Sequence, residues 1–226
     1  MINLLLSINN FDEDWCYRKV KQIIHPSYKV LIIPFSYHED WLYDNKTWHN
    51  AFDKNGTHYE DIVKPFRRYG ISEDSIQWVN QFKDSIDLIK QKIRSSDILF
   101  FTGGYPDKMY KRFIDYDLIE VLESFDGIVI GMSAGAMVQI DECHISPDQD
   151  YDKYMYCKGL NMINHFSISV HYNNSELQNI NILRAIREKH KPIYSITDKG
   201  AVLVIGNNIY ALGEVEYWKV QGLLEF

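Results

Sequence analysis

The sequence has no apolar stretch near the roughly 20 residues a helix needs to cross a bilayer, so a membrane-spanning chain is not expected. Cysteine is scarce: Cys16, Cys143 and Cys157 are an odd count without C-x-x-C spacing, which indicates neither a disulfide framework nor a zinc site. No metal and no organic cofactor is expected. Positive charge is in deficit, with 24 Lys plus Arg against 31 Asp plus Glu and a formal net charge of −7. Such a chain repels phosphate backbones and anionic lipids, so neither nucleic acid nor a membrane surface is an expected partner. A Pro-, Gly- or Ser-rich linker, an internal repeat and a low-complexity tract are all lacking, and a single domain over residues 1–226 is expected. The opening Met1-Ile2-Asn3-Leu4-Leu5-Leu6 lacks a basic region and soon reaches Asp12, Glu13 and Asp14, so it reads as a buried strand and not a signal peptide. Together with the cysteine usage this points to the cytoplasm.

What is present is a core: 46% of residues are hydrophobic and 14% aromatic, enough for one sizeable domain. Short β-branched and aromatic runs alternate with amphipathic stretches, the pattern of a mostly parallel sheet covered by helices. Strands are predicted over Ile2–Ser7, Lys29–Phe35, Ile76–Asn80, Asp97–Thr102, Gly127–Met132, Phe166–His171, Ile193–Thr197, Ala201–Ile205 and Asn208–Leu212. Helices are predicted over Asp14–Ile24, Tyr59–Tyr69, Ser85–Ser95 and Tyr110–Ser124. Gly206-Asn207-Asn208 between two alternating runs is a hairpin signal, so the C-terminal strands are expected to be partly antiparallel. The segment Tyr37–His58, with Trp41 and Trp48, fits neither template and reads as a surface loop or lid.

The strongest local signal is Gly131-Met132-Ser133-Ala134-Gly135, a Gly-x-Ser-x-Gly that follows an apolar strand and enters a helix. Glycines two residues either side let strand and helix pass closely, while the serine is pushed out on a strained turn toward a helix N-terminus. Taken alone, such a turn also joins strand to helix without any chemistry. A second turn, Gly103-Gly104-Tyr105-Pro106, ends the strand Asp97–Thr102 and opens on the same sheet edge. The N–H groups of Gly104 and Ala134 are therefore candidates for a two-donor oxyanion hole.

A serine nucleophile needs a base. Five of the eight histidines, His25, His38, His49, His58 and His190, lie in polar contexts, and His144 reads as a surface residue after Asp141-Glu142-Cys143. His171 ends an apolar run before the loop Tyr172-Asn173-Asn174, where a sheet presents side chains to an edge cleft; His165 at the other end of the run competes with it. Asp198, between Ile193–Thr197 and Lys199-Gly200, is the candidate orienting carboxylate, although a β-turn Asp is common in its own right.

At these residues the sequence resembles the peptidase E and cyanophycinase family of serine peptidases, whose fold is related to class I glutamine amidotransferases. The resemblance rests on Leu4–Ser7, Leu31–Phe35, Thr102-Gly103-Gly104, the elbow with its Ala134-Gly135-Ala136 continuation, Gly159-Leu160-Asn161 leading to His171-Tyr172-Asn173, and Ile196-Thr197-Asp198. It implies a three-layer α/β sandwich of the flavodoxin-like kind, with Ser133 as nucleophile, His171 as general base and Asp198 as the acid. The order Ser, His, acid fits that family and departs from the Ser, acid, His order of α/β-hydrolases. The activity implied is hydrolysis of dipeptides or short peptides, with an N-terminal acidic residue in some relatives, by a monomer or homodimer. Two features depart from the pattern: Tyr105-Pro106 follows the paired glycines where relatives have Asn or Asp, and no early arginine follows His171. The alternatives are an amidase or glutaminase-like hydrolase, disfavoured as a true amidotransferase because no cysteine occupies the elbow, and a non-catalytic small-ligand binding protein of the same fold.

Overall fold

The computed structural model describes residues 1–220. In chain order the elements are β1 (Ile2–Leu6), α1 (Asp14–Val20), β2 (Val30–Ile33), α2 (Asn45–Phe52), α3 (Tyr59–Arg68), a short 3-10 turn, β3 (Ile76–Trp78), α4 (Ile86–Arg94), β4 (Ile98–Phe101), α5 (Pro106–Asp115), α6 (Ile119–Glu123) and β5 (Ile128–Met132). They continue with α7 (Ala134–Met137), β6 (Glu142–Ile145), β7 (Met155–Lys158), β8 (Ser167–Ser169), α8 (Glu176–Lys189), β9 (Ile193–Ile205) and β10 (Asn208–Trp218).

The main sheet runs β10-β9-β1-β5-β4-β2-β3, with β8 beside β9. β1, β5, β4, β2 and β3 pair parallel, whereas β9 is antiparallel to β1 and to β10. The strands are short continuous apolar runs because both faces are covered, and successive residues serve opposite cores. Leu4, Ile32, Phe100 and Ile130 pack with Val20, Phe52, Val63 and Phe66 from α1–α3. Leu31, Ile33, Leu99, Phe101 and Val129 pack with Ile89, Ile93, Met109 and Phe113 from α4 and α5. The result is the three-layer, mostly parallel sandwich with an antiparallel C-terminal part that the sequence predicts. Ile205 pairs with Asn208 across Gly206-Asn207, and the φ of 56° at Gly206 is the left-handed value such a hairpin turn needs. Among the described residues no helix is long and apolar enough to cross a membrane.

Several expectations are corrected. Tyr37–His58 is not a loop throughout: α2 lies within it, opened by a capping box between Asp44 and Thr47, and Trp48 and Phe52 are buried. The Trp48 indole donates to the Val79 carbonyl at 3.2 Å, so this segment is pinned to the sheet. The single helix predicted over Tyr110–Ser124 is two, since α5 begins at Pro106 and the chain turns at Asp117, with φ 52°, before α6. The hairpin β6–β7 and the helix α8 were not predicted. Strands predicted separately over Ile193–Thr197 and Ala201–Ile205 are one strand, β9.

His144, expected at the surface, is 4% exposed in β6, stacked against Tyr154. Burial without a charged partner pushes its pKa from 6.5 down to about 4. Between those values the unfolded chain binds the proton that the folded chain refuses, so stability falls as pH falls. The contribution is fully present above pH 6.5 and gone below about pH 4. Urea unfolding is expected to show a loss of about 2 kcal/mol between pH 7 and pH 5 from this residue. The His144→Gln chain should lack that part of the slope.

Candidate active site

Ser133 follows β5 directly and N-caps α7, with φ 49° and ψ −116°, a conformation that costs a non-glycine residue on the order of 1–3 kcal/mol. Three backbone bonds hold it there: its N–H donates to Leu6 at 2.8 Å, and its carbonyl accepts from Ala136 at 2.9 Å and Met137 at 3.0 Å. The flanking glycines are required by contact. A Cβ on Gly131 would lie 2.0 Å from the Gly135 carbonyl oxygen, and one on Gly135 would lie 2.1 Å from that of Phe101. Beneath the turn the buried Gln139 side chain donates to Gly135 O and accepts from Asn3, both at 3.0 Å, which ties α7 to β1.

His171 and Asp198 reach the same edge. His171 Nδ1 lies 2.9 Å from Asp198 Oδ1, and His171 Nε2 lies 3.0 Å from Ser133 Oγ. A carboxylate only accepts, so Nδ1 carries the proton toward Asp198, and in the neutral ring Nε2 is left to accept from the serine hydroxyl. His171 sits in the left-handed region at φ 52°, just past the end of β8. Gln178 of α8 braces the loop with both ends of its amide, donating to His171 O and accepting from Asn173 N–H, each at 2.9 Å. His165 is exposed at the opposite end of β8, packed edge-on to Phe166, and has no hydrogen bond to Ser133.

Asp198 is not in a turn after a strand, as the sequence suggests, but inside β9. The strand pairs with β8 over Ile193–Ser195 and with β1 from Ala201 onward, so it passes from one neighbour to the other where their carboxyl ends meet. Opposite β10, residues 197–199 face Glu214 alone, because pairing resumes from Ile196–Val215 to Gly200–Gly213. Such a bulge turns a side chain out of the alternating pattern. The Asp198 carbonyl accepts from the Asn10 amide at 2.8 Å, which holds the bulge to the segment after β1.

The turn Gly103-Gly104 lies across from the serine. Gly104 has φ 135°, and a Cβ there would meet the Ser36 carbonyl oxygen at 2.3 Å. Neither the Gly104 nor the Ala134 N–H donates to another backbone group in a turn, loop or cap among the described residues. Gly104, Ser133 and His171 all border one open cavity of about 690 Å³. Together, an oriented imidazole on a serine hydroxyl and nearby free N–H groups are the parts required for acyl transfer.

The sequence matches the profile of peptidase family S51 over residues 50–212, which is most of the chain. The chain belongs to peptidase family S51. It is therefore a serine peptidase, and the match spans the elbow, His171 and Asp198 alike. A crystal structure of a candidate peptidase E protein from Listeria monocytogenes EGD-e superposes with a TM-score of 0.65 at 19% identity, covering 94% of this chain and 98% of the other. A peptidase from an acI-B1 Actinobacterium superposes with a TM-score of 0.64 at 14% identity, covering 98% and 91%. At these identities the likeness is one of fold. No curated protein sequence matches significantly.

Two buried serines that motif reading passed over hold this family S51 site in shape. Ser7 Oγ donates to Ile196 O at 2.7 Å and accepts from His171 N–H at 2.9 Å, linking β1, β9 and the loop of the histidine. Ser36 Oγ donates to Gly103 O, so the Thr102 hydroxyl, 2.8 Å away, must be the donor to Ser36. The Ser36 carbonyl in turn accepts from Tyr105 N–H at 2.7 Å, which fixes the Gly-Gly turn. The signal was present in the sequence: each serine is the first polar residue after an apolar strand, Leu4-Leu5-Leu6-Ser7 and Ile32-Ile33-Pro34-Phe35-Ser36.

Proposed function

We propose that this single-domain chain hydrolyses dipeptides or short peptides with Ser133 as nucleophile, His171 as general base and Asp198 as the orienting acid. The observation that carries the reading is the hydrogen-bonded series Ser133–His171–Asp198, at 3.0 and 2.9 Å, on a serine held at positive φ. His171 takes the hydroxyl proton as Ser133 Oγ attacks the amide carbonyl, and the N–H groups of Gly104 and Ala134 receive the developing oxyanion. His171 then returns the proton to the leaving amine, and water, deprotonated by the same imidazole, releases the acyl group. No metal or cofactor enters the scheme. A cytoplasmic setting is proposed with it, supported by the lack of cysteine spacing suited to disulfides. A preference for an N-terminal acidic residue is not included, because no lysine or arginine borders the cavity among the described residues.

The test is intact-mass labelling with a small fluorophosphonate. Labelling of one site on the native chain and none on Ser133→Ala is the expected result. Native protein that stays unlabelled while folded would count against an activated serine and favour a binding protein.

A further inference from the structure

A second, smaller cavity of about 210 Å³ opens beside the one that Ser133 and His171 share, at the carboxyl ends of β2, β4 and β5 and under the segment that leads to α2. Its role as read here rests on the peptidase site proposed above. The floor and walls are apolar, made by Pro34, Tyr37, Trp41, Phe52, Ile62 and Met132. Phe52, Ile62 and Tyr37 belong to the first core and are less than a tenth exposed. Tyr37 is also held by the Arg112 guanidinium, 3.5 Å from its ring centroid. Trp41 is different. It is 45% exposed although its neighbour Leu42 is fully buried, and its ring stands edge-on to Tyr37 and His58, with centroids 6.0 and 5.9 Å away. A large apolar ring left half in water at the mouth of an apolar pocket is surface for a ligand to cover.

The polar side chains buried in the floor are engaged within the protein. Thr102 donates to Ser36 and Ser36 to Gly103 O, while Asn9 Nδ2 donates to Asp61 O at 2.6 Å and to Ile62 O at 3.3 Å. Asn9 Oδ1 has no partner among the described residues but is itself covered. His58 and the Asp61 carboxylate stand at the exposed rim, where water serves them. No lysine or arginine lines the pocket among the described residues, so a carboxylate entering it would give up its water with no cation to receive it.

The pocket and the base lie on different sides of the nucleophile. Neither Ser133 nor His171 lines it, but Gly103 does, as does Met132, the residue before Ser133. A Cβ on Gly103 would lie 3.1 Å from Met132 Cε and 3.4 Å from Ser133 Cβ, so a residue without a side chain parts the pocket from the nucleophile. In acyl transfer the imidazole returns its proton to the leaving amine, which therefore lies by His171 in the larger cavity. The acyl half of the peptide then runs the other way, over Gly103.

We propose that this pocket receives the side chain of the residue whose carbonyl Ser133 attacks, that it takes an aromatic or branched aliphatic side chain, and that Trp41 sets this choice by covering it. In an apolar pocket such a side chain is favoured over a methyl group by about tenfold or more.

Diphenyl α-aminoalkylphosphonates test the acyl side alone. The serine oxygen bonds to phosphorus, phenol leaves, and the side chain on the α-carbon takes the place of the acyl residue's own. Labelling rates are followed by intact mass for the phenylalanine, leucine, alanine and aspartate analogues. The phenylalanine and leucine analogues should exceed alanine by about tenfold or more, with aspartate slowest. In Trp41→Ala the ratio of the phenylalanine to the alanine rate should fall toward one, and Trp41→Phe should restore most of it. A general loss of folded protein lowers all rates alike, so the ratio isolates the pocket. Equal rates for the four analogues, a preference for aspartate, or a ratio unchanged in Trp41→Ala would each overturn the inference. A small fluorophosphonate, which carries no such side chain, separates the two readings: a serine that it labels, but that lacks the apolar order, sinks the pocket assignment alone, whereas an unlabelled serine sinks the triad.

Discussion

Replacing His171 by alanine is expected to lower kcat/KM for a cleaved peptide by on the order of 10⁴-fold or more, with the fold unchanged. The reason is that, among the described residues, the serine hydroxyl has a single base within reach, His171 Nε2 at 3.0 Å. Without it, attack must pass its proton to water, and only binding and the oxyanion donors remain to accelerate the reaction. Ser133→Ala should cost as much as His171→Ala, and the double variant should be no worse than either, because the two side chains act as one unit. Asp198→Asn should cost less, on the order of 10² to 10⁴-fold, since its side chain is 59% exposed and water can replace part of its field. Steady-state kinetics on these four variants, with circular dichroism to check folding, decides the matter. Losses that multiply in the double variant, or an Asp198→Asn loss larger than that of His171→Ala, would contradict a hydrogen-bonded relay.

The second large effect concerns folding. Gly135→Ala is expected to lower stability by on the order of 4 kcal/mol or more, because the new methyl group would sit 2.1 Å from the Phe101 carbonyl oxygen. That oxygen belongs to the end of β4, deep in the sheet, and cannot swing aside as a flexible side chain can. Relief would require α7 to lift off β4, carrying the Ser133 turn with it. For a chain of this length the loss corresponds to a melting temperature about 10 °C lower or more. Gly206→Ala is the control: nothing lies within 4 Å of its would-be Cβ, so it bears only the left-handed backbone penalty of about 1–2 kcal/mol. Thermal melts of the two variants should differ clearly, and similar melting temperatures would show that the contact at Gly135 is relieved cheaply.

Much of the architecture was legible because buried strands announce themselves locally. Ile98–Phe101 and Ile128–Met132 are apolar on both faces, as strands covered twice must be, and each ends in a small-residue turn. α8 was harder to see. Its buried residues include Asn181, Ile182, Ala185 and Ile186, while Leu177, Ile180 and Leu183 are about half exposed, so apolar residues fall on both sides and no single stripe stands out. α2 was missed because its capping box uses Thr47 where Glu or Gln is the usual signal.

The site divides in the same way. Sequence alone determined Ser133 and its glycines, because a strand, a tight turn and a helix N-terminus follow one another within a few residues and their sterics are local. It also narrowed the base to the two histidines, His165 and His171, that bound one strand-like run, and placed Asp198 beside another. Tertiary structure decided that they meet: Ser133, His171 and Asp198 come from distant parts of the chain and converge where β5, β8 and β9 share one edge. It decided too that Asp198 points out from a bulge, since only pairing of β9 with β8, β1 and β10 at once interrupts the ladder there. The same holds for His144, whose polar neighbours in sequence suggest solvent but whose strand is buried against Tyr154. Burial and bulges arise from what packs across the chain, and a local pattern carries no record of that partner.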